Sequence, residues 1–276
     1  MPEEEEEKKP FTKVKLTKEQ SMSTGASFHA SDVMVTAQGA RVVLFGGQRT
    51  GLSEEMWIFD PADGWAQCFK SSESAPWPAP RTQTSLNSIG PEPQTRALLF
   101  GGYVMNRAEQ NDLWACDIEV EVGEANATWD ACESAGEPPE PRYGHSATIQ
   151  GTNLVVFGGQ GGKDQFNDVH VLDVSDPAAY MWSQPTVSGV PPSVRSAHLA
   201  LPITKPKPER VLIHGGFNRD ERCLGDAYFL KVNKDGSAAE WAPCDFQLLP
   251  GQTFPRAQHA GAMLPGNPNF GYIFGG

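Results

Sequence analysis

The sequence lacks several features that would place it in a class at once. A membrane-spanning helix needs an apolar run of about 18 residues, and no run in the 276-residue chain is that long. The N-terminus, MPEEEEEKKP, is acidic where a secretory signal would be basic and then apolar. The five cysteines show no paired short spacings, which argues against a disulfide framework. We therefore expect no membrane insertion and a cytoplasmic location, with the nucleus or a cytoskeletal site as alternatives.

Basic residues are scarce as well. The chain has 22 Lys plus Arg against 34 Asp plus Glu, a formal net charge of −12. A nucleic-acid-binding protein needs a basic surface to neutralise phosphates. The sequence therefore predicts no nucleic-acid partner.

Familiar catalytic motifs are missing too. No GxSxG, CxxC, HExxH or Walker A pattern occurs in the chain. The glycine-rich stretch 158–164 lacks the spacing and the Ser or Thr that a phosphate-binding loop needs. We therefore predict that the chain is not an enzyme and that it uses no cofactor and no metal.

What the chain does contain is a repeat. A Gly-Gly pair follows an apolar run five times, at intervals of 55 to 60 residues. A fixed period of this size indicates a repeat architecture. The five pairs are Gly46-Gly47, Gly101-Gly102, Gly158-Gly159, Gly215-Gly216 and Gly275-Gly276.

Three other signals recur within each period. An opening strand carries Arg and then His three residues later, as in PRYGHSATI at 141–149; the second copy has Thr84 in place of the His, and the first has Ala26 in place of the Arg. After the Gly-Gly pair come a half-alternating run, such as DVHVLD at 168–173, and a Trp followed by a short strand. Four short strands per period, without helical periodicity, predict a four-stranded antiparallel propeller blade. The four Trp residues are Trp65, Trp129, Trp182 and Trp241.

These motifs together resemble the kelch repeat. The resemblance covers roughly residues 25–276, and the long blades are similar to those of kelch Rab effectors and of acyl-CoA-binding or phosphatase-linked kelch proteins. It implies an all-β fold, a kelch-type β-propeller with four complete four-stranded blades plus the first half of a fifth. We assign residues 21–276 to the propeller and residues 1–20 to a charged, flexible N-terminal tail with one candidate strand at 11–16.

The last copy of the motif stops at Gly275-Gly276, after two strands. Propellers normally close their ring and so protect their strand edges. We therefore expect the sequence to be a truncated part of a longer chain with six or seven blades. If it is not truncated, the exposed edges would pair with a second chain.

Several repeated residues are expected to have structural roles. The Gly-Gly pairs should supply positive φ and close approach between blades, and the four Trp side chains should be core. Cys68, Cys132 and Cys244 share one repeat position and are predicted to be small buried hydrophobes rather than metal ligands. His214 replaces a Phe before Gly-Gly, so we expect it to be buried and hydrogen-bonded.

Four histidines also share a repeat position near the expected propeller axis. We expect each to hydrogen-bond backbone within its own blade, and a metal-binding ring is the alternative. These residues are His29, His145, His198 and His259.

One face of the propeller is the candidate partner surface. Antiparallel geometry places the loops between the second and third strands on the same face as the connections between blades, and the resemblance implies that this face binds protein or peptide partners. Arginines and aromatics there have the composition of interaction hot spots. The candidate residues are Arg49, Trp77, Tyr103, Arg107, Phe166, Phe217, Arg219, Arg222 and Phe254.

Two questions stay open at this face. The arginines could instead pair with nearby acidic residues, namely Glu54, Glu109, Asp220 and Glu221. Trp77, between two prolines in a long loop, either folds back over the blade or presents an aromatic anchor to a partner.

The functional prediction is a non-catalytic adaptor or scaffold that binds partners through this face. One alternative is the regulatory propeller of a larger enzyme, such as a kelch-linked phosphatase. A second is a kelch-type metal enzyme that uses the repeated histidines.

Overall fold

The computed structural model describes residues 27–70, 72–121, 124–205, 207, 209–220, 222–244, 254–263 and 271–276. The predicted N-terminal tail 1–20 and its candidate strand 11–16 lie outside these ranges. Within them, every regular element is a β-strand. No helix in the described part of the chain has the length and apolar character that a membrane crossing would require.

The first two blades each contain four strands that pair antiparallel in chain order. Blade A consists of β1 (Ala30–Thr36), β2 (Gly39–Phe45), β3 (Met56–Asp60) and β4 (Gly64–Lys70). Blade B is opened by the short β5 (Arg81–Thr82) and consists of β6 (Ser85–Ile89), β7 (Arg96–Val104), β8 (Ala108–Glu121) and β9 (Glu124–Cys132).

Blades C and D have the same order and each carries a small extra hairpin between its second and third strands. Blade C consists of β10 (Ser146–Gln150), β11 (Asn153–Phe157), the hairpin β12 (Gln160–Gly161) and β13 (Asp164–Gln165), β14 (Val169–Asp173) and β15 (Met181–Ser183). After β16 (Thr186–Ser188), blade D consists of β17 (Leu199–Ile203), β18 (Arg210–His214), the hairpin β19 (Phe217–Asn218) and β20 (Arg222–Cys223), β21 (Ala227–Val232) and β22 (Ala238–Pro243).

Two further strands, β23 (Ala260–Met263) and β24 (Gly271–Phe274), form an antiparallel pair that we call half-blade E. The prediction of four four-stranded blades followed by the first half of a fifth is confirmed. The chain is an all-β kelch-type propeller.

Aromatic side chains fill the space between neighbouring blades. The Phe before each of the first three Gly-Gly pairs packs on the Trp of the next blade, with ring centroids about 5 Å apart: Phe45 on Trp129, Phe100 on Trp182 and Phe157 on Trp241. These three Trp residues are buried, as predicted. Trp65 is half-buried on the outward side of blade A, where no blade precedes it in the described residues.

The Gly-Gly pairs are needed for close approach between blades. Both glycines of each pair have positive φ. A Cβ on Gly158 would lie 2.8 Å from the carbonyl oxygen of Arg195 in the next blade, and one on Gly159 would lie 2.8 Å from the Cβ of His145 in its own blade. Real Cβ atoms do not approach so closely, so the predicted role of these glycines is confirmed.

The outer edges of the blades are joined by parallel pairing. The end of β4 pairs with β9, and β16 pairs with β22, so the chain that leaves one blade adds a strand to the next. At the edge of blade C the same link is a single bridge between Ala135 and Met181. Gly136 and Gly189 follow these links. A Cβ on Gly136 would overlap the Trp182 carbonyl oxygen, and one on Gly189 would overlap the Trp241 carbonyl oxygen.

The inner ends of the blades are joined by a chain of backbone hydrogen bonds. The residue before the repeated His lies in the left-handed region in every repeat, with φ between 51° and 64°. Its N–H donates to the carbonyl of the same residue in the preceding blade, at 2.7 to 3.0 Å. The residues in this ring are Phe28, Gln83, Gly144, Ala197 and Gln258.

Candidate functional site

The loop between strands two and three of each blade contacts the connection to the next blade. Asn111 Nδ2 donates to the Pro139 carbonyl at 3.1 Å, and Asn167 Nδ2 donates to the Pro192 carbonyl at 3.0 Å. The predicted sharing of one face is therefore confirmed. We call this surface the loop face. It consists of the described residues in the loops 46–55, 101–112, 158–168 and 215–226 and in the connections 71–80, 133–141, 184–193 and 245–255.

Beneath the loop face, each of blades B, C and D contains the same buried arginine arrangement. In blade C the Arg142 guanidinium binds Asp168 with two hydrogen bonds of 2.7 and 2.9 Å. The same guanidinium also donates to the carbonyls of Gly158 and Glu140, at 2.9 Å each. Arg81 with Asp112, and Arg195 with Asp226, repeat these bonds. All three arginines are at most 1% exposed, so they hold the blade together and are unavailable to a partner.

In blades B and C, a ring N–H donates a further hydrogen bond to the Asp carboxylate of the Arg–Asp pair. Trp114 Nε1 donates to Asp112 at 2.7 Å, and His170 Nε2 donates to Asp168 at 2.9 Å. Burial alone would raise the pKa of Asp168, but the hydrogen bonds from Arg142 and His170 outweigh it and hold the pKa well below its ordinary value. The acidic residue before the third strand is therefore a structural element of the repeat, which we did not predict although it recurs in the same register.

Blade A builds this arrangement differently, because its opening motif has no arginine. Arg49, from the loop after β2, approaches Glu55 at 3.0 Å and lies over the Trp57 ring at 5.9 Å. Trp57 Nε1 donates to the same Glu55 carboxylate at 2.9 Å. Arg49 thus makes stabilising contacts within blade A. Its predicted role in partner binding stays a prediction.

Trp77 folds back over blade A and blade B. Its Nε1 donates to the Glu54 carbonyl at 2.8 Å, and its ring makes an edge contact with Trp129 at 6.0 Å between centroids. The Lys70 ammonium lies 5.5 Å from the Trp77 ring. The sequence left two alternatives for Trp77, folding back over the blade or presenting an anchor to a partner. In this structure the ring packs against the blade.

Two other predicted aromatics are half-buried in the framework. Phe166 lies under the Arg142 guanidinium, 4.3 Å from it. Phe254 makes an edge contact with His214, with ring centroids 5.5 Å apart. Both contribute only part of their surface to the loop face.

The remaining predicted residues are exposed on the loop face. Tyr103 is 37% exposed and Phe217 38% exposed, so each leaves more than a third of its surface accessible. Arg107, Arg219 and Arg222 are exposed at the tips of the loops. The face therefore offers two partly exposed aromatic side chains and three exposed guanidinium groups.

The hairpins of blades C and D are fixed to each other. The Arg219 guanidinium donates to the Lys163 carbonyl, and its backbone N–H donates to Gln165 Oε1 at 2.9 Å. Gln165 Nε2 donates to the Phe217 carbonyl at 3.1 Å. Arg219 is thus exposed but engaged, whereas no ion pair is found for Arg107 or Arg222 among the described residues.

Three of the four repeated histidines bond the preceding blade instead of their own, so the prediction was wrong for His145, His198 and His259. His145 Nε2 shares a hydrogen bond of 3.1 Å with Ser85 Oγ of the preceding blade, and His198 Nε2 shares one of 2.8 Å with Ser146 Oγ. Leu199 stands where the next hydroxyl would be, and His259 bonds His214 Nδ1 at 2.9 Å instead. The expectation that His214 is buried and hydrogen-bonded is confirmed.

Burial is the main reason why His145, His198 and His259 stay neutral. Burial, followed by the nearby Arg142 guanidinium, lowers the pKa of His145 to about 3. Burial, His214 and Arg256 lower the pKa of His259 to about 4. The pKa of His198 is also well below its ordinary value, first because of burial. The histidines therefore act as neutral links between blades.

The five cysteines differ in burial. Cys68 and Cys116 are buried, Cys132 and Cys244 are half-buried, and Cys223 is exposed. The predicted burial thus applies to Cys68, which lies inside β4, but not fully to Cys132, the last residue of β9, or to Cys244, which follows β22. Among the described residues, no three His, Cys, Asp or Glu side chains are grouped so that they could hold a metal ion.

The family follows from comparison with known proteins. The chain matches the KLHDC2/KLHL20/DRC7 Kelch-repeats domain over residues 29–276. It therefore belongs to the kelch-repeat family, which confirms the resemblance seen in the sequence. Membership supports a protein-interaction module in general terms and identifies no partner and no reaction.

Several curated relatives share the repeats within longer chains. The chain is 27% identical to Arabidopsis thaliana acyl-CoA-binding domain-containing protein 5 over 86% of its length, and 27% identical to mouse Kelch domain-containing protein 1 over 86%. These matches span 34% and 59% of the two relatives. A shorter match, 41% identical over 33% of the chain, spans 2% of the flagellar outer-arm dynein alpha chain of Chlamydomonas reinhardtii.

Proposed function

We propose that this propeller is a non-catalytic adaptor or scaffold that binds protein partners through its loop face. The observation that carries the proposal is the pair of exposed aromatics, Tyr103 and Phe217, accompanied by the exposed Arg107 and Arg222. Aromatic and arginine side chains dominate the binding energy of protein interfaces. The repeat arginines are buried in the framework, so these exposed groups are not required to hold the blades together.

The test is affinity capture with the 276-residue chain and quantitative mass spectrometry. A loop-face variant combines Tyr103→Ala, Arg107→Ala, Phe217→Ala and Arg222→Ala. A matched control carries Asp63→Ala and Lys234→Ala, which are exposed in turns on the opposite face. Both variants should keep the wild-type melting temperature, since the changed side chains are exposed.

Partners that bind through the loop face should be lost with the loop-face variant and retained with the control. If every captured protein is retained by both, or lost equally from both, the proposal is wrong. A cytoplasmic location belongs to the same proposal, and imaging of the tagged full-length protein would test it.

A second candidate is a regulatory or targeting propeller within a larger polypeptide. The observation that favours it is the length of the relatives, of which the chain spans 34% and 59%. Mass spectrometry of the native protein, purified with an antibody against the repeats, distinguishes the two. A mass well above 30 kDa would support this candidate, and a mass near the 29.9 kDa of the chain would remove it.

A further inference from the structure

Three sulfur-containing side chains meet in the core between blades A and B. Cys116 Sγ of blade B donates a thiol hydrogen bond of 3.8 Å to Met56 Sδ of blade A. Met56 and Cys68 lie directly opposite each other on β3 and β4, so their side chains are neighbours on the same side of the sheet. All three residues belong to one core cluster, and each is at most 3% exposed. We call Met56, Cys68 and Cys116 the sulfur triad.

The same three repeat positions at the next two interfaces do not group sulfur in this way. They hold Leu113, Cys132 and Leu172 between blades B and C, and Val169, Pro185 and Leu230 between blades C and D. Leu113 lies opposite Cys132, just as Met56 lies opposite Cys68. Apolar side chains of ordinary size therefore satisfy the packing of these positions, and the fold does not itself require three sulfurs at one interface.

The spacing of the sulfur atoms suits a single metal ion. A metal–sulfur bond is about 2.3 Å long, so three sulfurs arranged in a plane around one ion lie about 4 Å apart. The 3.8 Å between Cys116 Sγ and Met56 Sδ is close to that spacing. An ion between these two atoms would take the place of the thiol hydrogen that now joins them.

The ligand set and its surroundings select the kind of ion. Thiolate and thioether sulfurs are soft ligands, which favour Cu(I). Structural zinc sites use four ligands, whereas the triad offers three and is packed among hydrophobic side chains. Phe45 lies opposite Met56, and Ala97 lies opposite Cys116. Three soft ligands in an apolar core therefore fit Cu(I) better than zinc.

Binding must remove the thiol protons. Burial raises the pKa of the Cys68 thiol to about 12 and holds the pKa of Cys116 well above its ordinary value, so both are protonated in the metal-free protein. A coordinated metal ion deprotonates a thiol outright. Two S–H bonds break, two protons leave to solvent, and three Cu–S bonds form without any change of oxidation state. Cu(I) cancels one thiolate charge, and the Arg96 guanidinium acts on Cys116 in the sense that favours its thiolate.

We propose that the sulfur triad binds one Cu(I) ion through the thiolates of Cys68 and Cys116 and the thioether of Met56, and that the ion ties blade A to blade B. Sequence comparison of the repeats placed Cys68 in a column with cysteines of other blades. Cys116 lies outside that column, and it supplies the second thiol. The site is independent of the loop face, so its failure would leave the proposed function untouched.

The test is an anaerobic titration of the 276-residue chain with Cu(I), in competition with a coloured Cu(I) chelator. Every sample carries Cys132→Ala, Cys223→Ser and Cys244→Ala, which remove the thiols outside the triad. We expect one Cu(I) per chain and an X-ray absorption spectrum with sulfur neighbours only. The melting temperature should rise on binding, because the assembled site exists only in the folded chain.

Three further substitutions assign the ligands. Cys116→Ala removes a thiolate and should lower the affinity for Cu(I) by more than about 100-fold, since even outer-shell changes cost up to that much. Met56→Leu keeps the side-chain volume and removes only the thioether, and should lower affinity by about tenfold. The matched control is Leu113→Met, which adds a thioether at the same repeat position of blade B. It should change affinity by less than about twofold, because no thiol faces it in this background.

Several results would overturn the proposal. They are no Cu(I) binding in the background that retains only the triad, affinity unchanged by Cys116→Ala, and an absorption spectrum with nitrogen or oxygen neighbours. Loss of binding with Cys116→Ala but not with Met56→Leu would also overturn it, since the site would then consist of the two thiols alone. Melting temperatures establish folding, and if Cys116→Ala does not fold, the conservative Met56→Leu decides.

Discussion

The arginines of this protein fall into two groups that share one face but differ in surroundings. Arg81, Arg142 and Arg195 come from the repeat and are fully buried, each with a bidentate carboxylate and backbone carbonyls. Arg107 and Arg222 come from the loops and are exposed. The difference teaches that the same side chain type serves the framework in one group and is left exposed for the proposed partner binding in the other. The position of the arginine in the repeat distinguishes the two groups.

The largest difference in stability is expected when one arginine from each group is truncated to alanine. Arg142→Ala should lower the free energy of unfolding by about 3–5 kcal/mol, because Asp168 and two carbonyls lose their buried partner. Arg107→Ala should change it by less than about 0.5 kcal/mol. Urea unfolding followed by tryptophan fluorescence measures both. Equal effects from the two substitutions would mean that the two groups are not distinct.

The outer links between blades give the next largest effect. Gly189→Ala should destabilise the protein by about 3 kcal/mol, because the new Cβ would overlap the Trp241 carbonyl at a position with φ of 76°. Gly151 has a similar φ of 63° with no atom nearby, so Gly151→Ala should cost only about 1 kcal/mol. Thermal unfolding of the pair separates overlap from backbone strain, and a cost at Gly189 no larger than at Gly151 would contradict the role of the outer link.

Acid should weaken the inner links. The pKa values of His145 and His259 in the folded protein, about 3 and about 4, lie below the unfolded value of about 6.5. Their contribution to stability is therefore complete above about pH 6.5 and is lost as pH falls toward 4, by up to about 1.4 kcal/mol per pH unit for each histidine.

Unfolding in urea between pH 7 and pH 4 measures this slope. His198→Gln should make it shallower, since one neutral histidine is removed from the interface between blades C and D. An unchanged slope in the variant would show that His198 is not held neutral.

The smallest expected effect concerns the inner ring of backbone hydrogen bonds. Ala197 has φ of 55°, a conformation that costs an L-residue about 1 kcal/mol and glycine almost nothing. Ala197→Gly should therefore stabilise the protein slightly or leave it unchanged, by 0 to about 1 kcal/mol, the gain being offset by the greater freedom of glycine in the unfolded chain. A clear loss of stability in thermal unfolding would contradict the left-handed ring.

The fold was predictable because five copies of one pattern recur in register. The Gly-Gly pairs, the Phe before them and the interblade Trp carry enough information to set strand number and blade order, and the structure agrees. The acidic partners of the framework arginines could also have been predicted from the sequence. They occupy the same repeat position, at Glu55, Asp112, Asp168 and Asp226. They were missed because each looks like an ordinary polar residue at a strand start.

Other features could not be read from the sequence. The left-handed residues Phe28, Gln83, Ala197 and Gln258 share no side-chain property that marks positive φ. The bond from each histidine to the preceding blade depends on how closely the blades pack, which strand patterns do not specify. At the candidate site, composition suggested the loop face, whose role in binding stays a prediction, and only burial separates Arg49 and Trp77 from Arg107 and Tyr103.

The most direct test of the loop-face account is hydrogen–deuterium exchange of the chain with and without one captured partner. We predict slower exchange on binding in the loop segments 103–108, 160–165 and 217–220, and no change in the turns 61–63 and 233–237 on the opposite face. Protection confined to those opposite turns, with the loop segments unchanged, would contradict the claim that the protein binds its partners through the loop face.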